Sequence, residues 1–224
     1  MVGGLSRLFV VATPIGNLED VTARAVRILG EVDAIAAEDT RITSRLLARH
    51  GIRKPLLSYR APVERRALPR VMSALAEGDV ALVSDAGSPT LSDPGQALVE
   101  AAWAAGHSVV PVPGASAITA ALSIAGYGGP GFTFLGYLPR KPGEMRRLLA
   151  TLADDPRPAV AFESPYRVRK SLALIAEVLH GRHLTVAREL TKLHEQVLRG
   201  SAPEILAVLS DPARGEFTLV ISGA

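Results

Sequence analysis

Short apolar runs alternate with longer amphipathic stretches along the whole chain, which predicts alternating strands and helices. In the first half the strands are predicted at 8–13, 33–38, 80–85 and 108–112, with helices between them at 22–29, 43–49, 65–76 and 97–105. The apolar runs consist mainly of Val, Ile, Leu and Ala without a polar residue at every second position. Strands of this kind are buried on both faces. The pattern therefore predicts an α/β fold with a mostly parallel sheet covered by helices on both faces.

The second half of the chain follows a cluster of chain-breaking residues, GYGGPG at 126–131. We expect a domain boundary there, with an N-terminal α/β domain at 1–128 and a C-terminal α/β domain at 129–224. The elements predicted beyond it are strands at 132–138, 159–164, 184–189 and 216–222 and helices at 145–152, 168–179 and 203–209. A further strand at 195–198 would follow 184–189 without an intervening helix, so the second sheet is expected to be mixed.

Three turns rich in glycine and proline follow predicted strands and precede predicted helices. They are ATPIGNLED at 12–20, SDAGSPTLSDPG at 84–95 and PVPGASA at 111–117. Open α/β sheets bind ligands beyond the carboxyl ends of their strands. Glycine at such a turn lets the backbone approach a ligand closely. Although one such turn is ordinary chain punctuation, three on one edge of a sheet indicate a ligand site.

Other classes of site find little support. The sequence has neither GxxxxGK[ST] nor a GxGxxG motif after its first strand, nor a GxSxG nucleophile motif. It contains no cysteine, which excludes disulfides and thiolate chemistry, and its five histidines are scattered. No apolar run approaches the ~20 residues of a membrane span, and the first apolar run is too short for a signal peptide. We therefore expect a soluble cytoplasmic protein without a membrane partner.

The charge of the chain is concentrated in one segment. The formal net charge is only +3, but residues 41–70 carry nine basic side chains against one acid, Glu64. Arg41, Arg45 and Arg49 recur every four residues, which places like charges along one stripe of a helix. The segment is either a solvated helical surface neutralised from elsewhere in the fold or the contact surface for a polyanion such as a nucleic-acid backbone.

The sequence resembles the tetrapyrrole-methylase-like methyltransferases that use S-adenosylmethionine (SAM), and within them the ribosomal RNA small subunit methyltransferase I family. The stretches that carry the resemblance span nearly the whole chain: VATPIGNLEDVTARA (11–25), AAEDTRITSRLL (36–47), SDAGSPTLSDPG (84–95), PVPGASAITAAL (111–122), FLGYLPRK (134–141), FESPYRV (162–168) and ARELTKLHE (187–195). The tetrapyrrole enzymes are expected to have a Gly-Asp-Pro loop where this chain has Asp-Ala-Gly-Ser-Pro at 85–89. That difference and the AEDTR motif indicate the rRNA branch.

The resemblance implies two α/β domains with a SAM cleft between them, a homodimer, and 2′-O-methylation of a cytidine in 16S rRNA of the small ribosomal subunit. It implies cofactor contacts from residues of both domains. These are Pro14, Asp85, Ala86, Gly87, Ser88, Ser116 and Ala117 in the first domain and Phe162 or Glu163 together with Leu190 in the second. Members of the family usually continue into a helical extension beyond the strand matching 216–222, whereas this sequence ends at Ala224. Any RNA contact made by such an extension is therefore expected to be either missing here or dispensable.

Catalysis would need a group that accepts the proton of the ribose hydroxyl. The candidates flank predicted strand ends: Glu38, Asp39, Glu189 and Lys192. Asp39 is favoured, with Arg41 holding the phosphate or ribose of the target and Glu189 as a further catalytic candidate. Glu38 and Asp39 also suit a helix N-terminus, where acids interact well with the helix dipole.

The RNA would lie along the basic segment. Arg41, Arg45, Arg49 and Arg60 are expected to contact RNA, with Tyr59 stacking on a base. Arg140 and Lys141, followed by Arg146 and Arg147, are expected to form a second basic bank. Tyr137 and Tyr166 suit either RNA contact or packing between domains. Two alternatives remain: a tetrapyrrole-biosynthesis methyltransferase, which the low aromatic content disfavours, and a noncatalytic ribosome-assembly factor that keeps a SAM site.

Overall fold

The computed structural model describes residues 6–224, apart from the side chain of Pro62. The chain divides after Ser116 into two compact units, each with its own sheet. In the part of the chain described, no helix is long and apolar enough to cross a membrane.

Within residues 6–116, the first unit contains five strands and four α-helices. The strands are β1 (Arg7–Val11), β2 (Ala34–Ala37), β3 (Leu56–Ser58), β4 (Val80–Val83) and β5 (Ser108–Val112). The helices are α1 (Ala23–Glu31), α2 (Thr40–Arg49), α3 (Glu64–Glu77) and α4 (Gln96–Ala104). All strands pair in parallel in the order β3-β2-β4-β1-β5. The predicted parallel sheet is thus confirmed.

Alternating strand residues divide the first unit into two apolar layers. Phe9, Ile35 and Val83 face α1 and α2, whereas Leu8 and Leu82 face α3 and α4. This division follows from chain direction: the α1 and α2 crossovers move toward the β3 edge, and the α3 and α4 crossovers return. Right-handed crossovers that travel in opposite directions lie on opposite faces of a sheet.

The second unit begins with α5 and contains five strands and four helices. The helices are α5 (Ala117–Ala125), α6 (Pro142–Ala150), α7 (Val168–Val178) and α8 (Ala202–Val208). The strands are β6 (Thr133–Tyr137), β7 (Ala159–Glu163), β8 (His183–Arg188), β9 (Gln196–Ser201) and β10 (Phe217–Ile221). Their order is β6-β7-β10-β8-β9, and only β6 and β7 are parallel, so the expected mixed sheet is confirmed.

The glycine cluster at 126–131 lies inside the second unit and not at its start. Ile118, Ala121 and Ala125 of α5 pack on Val160 and Val220 of the second sheet. The other face of that sheet packs against α6, α7 and α8. Because α5 closes one face of the second sheet, the chain divides before this helix, earlier than the boundary expected at 128.

Candidate active site

The three glycine- and proline-rich turns lie on adjacent strands at one edge of the first sheet. β4, β1 and β5 are neighbours, and each turn leaves the carboxyl end of its strand. From β1 the chain continues to α1 on one face, whereas from β4 it continues to α4 on the other face. Two adjacent strands whose connections diverge in this way form a topological switch point, where open α/β sheets bind their ligands.

Backbone hydrogen bonds join these turns beneath the switch point. Thr13 and Gly87 donate their N–H groups to each other's carbonyl oxygens at 2.9 and 3.0 Å. The Thr13 hydroxyl donates to the Ser84 carbonyl at 3.1 Å, and the Ala12 N–H donates to the Val112 carbonyl at 3.1 Å. The first turn is therefore held to both of its neighbours by peptide groups, independently of what their side chains bind.

Two glycines are needed for this arrangement. Gly87 has a φ of 77°, a left-handed conformation that L-residues with a side chain rarely adopt. A Cβ atom at Gly114 would lie 3.1 Å from the Ala12 Cβ and 3.3 Å from the Ala12 carbonyl oxygen. These residues fix the backbone path of the second and third turns, which explains why the turns contain glycine there.

Three carboxyl groups lie close together at the ends of β2 and β4. Glu38 Oε2 accepts the Asp85 N–H at 3.2 Å, and Asp85 Oδ1 accepts the Asp39 N–H at 2.9 Å. Burial raises the pKa of both Glu38 and Asp85. Burial and the charge of Glu38 raise the pKa of Asp93 to about 6, although Asp93 also shares a hydrogen bond with Ser84. Burial, and then repulsion between neighbouring acids, thus disfavours the ionised form of these carboxyl groups, and a cationic ligand would stabilise it.

Asp93 had no role in the sequence analysis, although it lies within the motif at 84–95. The loop before it turns back through Thr90 and Ser92, with φ values of 73° and 70°. This backbone path brings Asp93 to Ser84 and Glu38. A positive φ at a threonine or serine gives no sequence signal, so the approach is visible only in the folded chain.

Asp39 has a structural role that argues against proton transfer. It is the N-cap of α2, and its Oδ1 accepts the Arg41 N–H at 2.8 Å. The Arg41 guanidinium also pairs with Asp39 Oδ2 at 2.5 Å. Hydrogen bonds from Arg41 hold the pKa of Asp39 well below its usual range. A carboxyl group with so low a pKa is a poor proton acceptor. The guanidinium of Arg41 is in turn paired with this carboxylate.

The other residues predicted to contact the cofactor from the first half of the chain lie in these turns or directly after them. Pro14 and Gly87 are buried, Ser88 is half-buried and Ala86 is exposed. Ser116 is the last residue of the first unit. Ala117 opens α5 in the second unit.

In the second unit, Phe162 and Glu163 point to opposite faces of the sheet. Phe162 belongs to the apolar layer that also contains Phe134 and Leu190, and its ring meets the Phe134 ring edge-on with centroids 5.2 Å apart. Glu163 faces the other layer and is 2% exposed. Only Phe162 and Leu190 therefore share a surface.

Glu163 is fully occupied by partners within its own unit. Its Oε1 accepts the Ser164 N–H at 2.6 Å and pairs with the Arg167 guanidinium at 2.7 Å. Its Oε2 accepts the Ser171 hydroxyl at 2.5 Å. Arg167 also donates to the Leu138 carbonyl at 3.0 Å, which ties the end of β6 to the start of α7. This network satisfies the buried carboxylate, which argues against Glu163 as a cofactor contact.

Glu189 and Lys192, two further candidates for proton transfer, form an ion pair with each other. Glu189 Oε1 accepts from Lys192 Nζ at 3.0 Å and from the Glu216 N–H at 2.9 Å. Burial opposes ionisation of Glu189, but these donors outweigh it and lower its pKa. Burial likewise opposes the charge of Lys192, yet Glu216 and Glu189 raise its pKa. An acid held ionised and an amine held protonated are both poorly suited to accept a proton.

Comparison with known proteins identifies the family. A family model described as tetrapyrrole (corrin/porphyrin) methylases matches residues 7–206. A protein of Thermotoga maritima named ribosomal RNA small subunit methyltransferase I is 45% identical over 221 residues, 98% of this chain and 99% of the relative. A relative of the same name from Neisseria meningitidis serogroup B is 47% identical over 225 residues, 99% of this chain and 77% of its own.

The chain belongs to the ribosomal RNA small subunit methyltransferase I family, within the tetrapyrrole methylases. Solved structures share the fold. The methyltransferase CobJ superposes with a TM-score of 0.69 at 22% identity, covering 99% of this chain and 95% of its own. Diphthine synthase superposes with a TM-score of 0.70 at 14% identity, covering 97% of this chain and 90% of its own. Enzymes of this family take their methyl group from SAM, which confirms the expected cofactor.

The six basic residues expected to contact RNA are exposed, whereas the tyrosine expected to contact RNA is buried. Those exposed are Arg41, Arg45, Arg49, Arg60, Arg140 and Lys141. Tyr59 is 0% exposed, because it packs beneath α3 and α4 and donates its hydroxyl to Glu64 at 3.2 Å. The expectation that Tyr59 stacks on a base is therefore wrong. Tyr166 is 91% exposed at the turn before α7.

The described part of the chain, residues 6–224, contains no cluster of side chains suited to a metal ion.

Proposed function

We propose that this protein transfers the methyl group of SAM to the ribose 2′-oxygen of a cytidine in 16S rRNA of the small ribosomal subunit. The observation that carries the proposal is 45% identity across nearly the full length of a relative named ribosomal RNA small subunit methyltransferase I. The choice of the 2′-oxygen and of cytidine rests on the resemblance of the motifs at 36–47 and 84–95. The basic segment supports an RNA substrate.

The first unit's turns fit SAM by charge and by shape. SAM carries a sulfonium and an ammonium group against one carboxylate, so its net charge opposes that of Glu38, Asp85 and Asp93. A Cβ atom at Gly114 would crowd Ala12, so glycine there keeps the third turn close to the first and lets a ligand approach its backbone. We propose that Pro14, Ala86, Ser88, Ser116 and Ala117 contact the cofactor beside them.

In the second unit Phe162 and Leu190 are proposed to contact the adenine. Both are only partly buried in an apolar layer that includes Phe134 and Tyr127. A flat apolar surface suits an aromatic base. Glu163 is left out of this set because its carboxylate is already satisfied.

SAM supplies a methyl group on a good leaving group, so the protein mainly has to align the reactants and accept a proton. We propose Glu38 as the proton acceptor in place of Asp39. Burial raises the pKa of Glu38, whereas Arg41 lowers that of Asp39, and a base works best when its pKa approaches the working pH. Glu38 also lies at the carboxyl end of β2, next to Asp85.

The direct test is transfer of labelled methyl from SAM to 16S rRNA, offered both as naked RNA and as assembled 30S particles, followed by mapping of 2′-O-methylated positions. We expect one modified cytidine. SAM binding without transfer to either substrate would contradict the enzyme and favour a noncatalytic assembly factor. Methylation of a tetrapyrrole in place of RNA would favour the other alternative.

Two variants then test the proton acceptor. We expect Glu38→Gln to abolish transfer while calorimetry still detects SAM binding, weakened by the loss of one carboxylate charge, and Asp39→Asn to keep transfer. The reverse result would restore Asp39. A homodimer is also proposed from the resemblance, and light scattering of the purified protein tests it.

A further inference from the structure

Eight cations lie around the β3 edge of the first sheet, and no acid in the described part of the chain pairs with them. We call them the edge cations: Arg45, Arg49, Arg53, Lys54, Arg60, Arg65, Arg66 and Arg70. Seven are exposed, and Lys54 is half-buried. Within residues 6–224 none of the eight forms an ion pair, whereas Arg41, the ninth cation of the segment, pairs with Asp39.

The one acid of this segment does not neutralise its neighbours. Glu64 Oε1 accepts the Tyr59 hydroxyl at 3.2 Å and the Gly95 N–H at 3.0 Å. It therefore binds groups of the first unit's interior. The solvated-surface interpretation of the sequence required counter-charges from elsewhere in the fold, and the described residues supply none to the edge cations.

The edge cations are not confined to one face of the sheet. Arg45 and Arg49 lie on α2, which packs on one face, and Arg66 and Arg70 lie on α3, which packs on the other. β3 is the edge strand between these two helices. Arg53 and Lys54 precede β3, and Arg60 follows it, so positive charge continues around the edge from face to face.

We propose that the rRNA substrate wraps the β3 edge, so that its phosphates contact α2 and α3 at the same time. This inference rests on the proposed function and specifies how the RNA is held. A polyanion lying on one face alone would leave half of these like charges without a partner. Phosphate contacts of this kind fix the position of an RNA without reading its sequence.

The test measures how RNA affinity depends on salt. Each phosphate contact to a single strand contributes about 0.7 to the slope of log K against log salt. We compare Arg45→Gln/Arg49→Gln on α2 with Arg66→Gln/Arg70→Gln on α3, using a 16S rRNA transcript as the probe. Each pair should lower the slope by about 1.4, and the four changes together by about 2.8.

A matched control changes two arginines outside the edge. Arg24 and Arg27 lie exposed on α1, on the same face as α2. Arg24→Gln/Arg27→Gln removes the same formal charge, although Arg27 pairs with Glu31, and should leave the slope unchanged. If it lowers the slope as much as the other pairs, only net charge matters and the proposal fails.

The remaining outcomes are also decisive. If one of the two edge pairs leaves the slope at the wild-type value, the RNA uses a single face and the wrapping is refuted. Thermal unfolding and SAM binding by calorimetry show that each variant is folded. Failure of the proposed function would look different, since the wild-type protein would transfer no methyl group whatever the slopes.

Discussion

Replacing Asp93 with Asn should stabilise the protein, and more at pH 7.5 than at pH 5. Burial and the neighbouring Glu38 raise the pKa of Asp93 from an ordinary 3.8 to about 6. The folded state therefore binds this proton more tightly than the unfolded state. Stability from the neutral acid is complete below pH 3.8 and is lost as the pH rises through 6.

The size of the effect follows from that shift. A difference between 3.8 and about 6 corresponds to about 3 kcal/mol as an upper limit. Asp93 is only half-buried, and solvent screens its interaction with Glu38, so we expect about 1 kcal/mol at pH 7.5. At pH 5 the gain should fall to about half of that value, because the folded protein already carries the proton.

Urea unfolding followed by circular dichroism, without SAM, measures the free energy of unfolding at both pH values. Asp154→Asn is the control, since Asp154 is exposed and should show the same small change at each pH. A loss of stability in Asp93→Asn at pH 7.5, or an equal gain at both pH values, would show that folding does not raise the pKa of this carboxyl group.

Three further substitutions test other parts of the structure. Glu163→Gln should destabilise the second unit by about 1–3 kcal/mol in urea unfolding, because it leaves Arg167 without its charged partner; an unchanged midpoint would contradict this. Gly87→Ala should cost about 1–2 kcal/mol, because alanine is strained at a φ of 77°, and a thermal melt at wild-type temperature would refute that. Arg41→Gln should raise the pKa of Asp39 toward its usual range in an NMR titration, since Arg41 provides the hydrogen bonds that lower it; an unmoved titration would assign the low pKa to the helix terminus.

Periodicity predicted most strands and helices because burial imposes it. Both sheets, one parallel and one mixed, followed from apolar runs and their spacing. β3 was not predicted, since Leu56–Ser58 is only three residues long and lies within a basic segment. Its short apolar signal was masked by the charges around it, although it forms the edge strand that those charges surround.

The turns of the candidate site could be predicted because backbone conformation requires particular residues there. The side-chain contacts of the site were harder to predict, because they depend on which segments the fold brings together. The three turns could be found from glycine and proline alone. Phe162 and Glu163 could have been separated by the two-residue period of a strand, which sends neighbours to opposite faces. The burial of Tyr59 and the approach of Asp93 to Ser84 depend on contacts between distant segments, which local sequence does not encode.

The mutual hydrogen bonds between Thr13 and Gly87 have a consequence for how this site can change over time. These hydrogen bonds join backbone peptide groups, so most replacements of the surrounding side chains leave them intact. Substitutions of side chains in the loop at 84–95 can then change what that loop contacts while the backbone path beneath the switch point stays in place. The backbone path of these turns and the chemistry of the side chains they carry can in this way change independently.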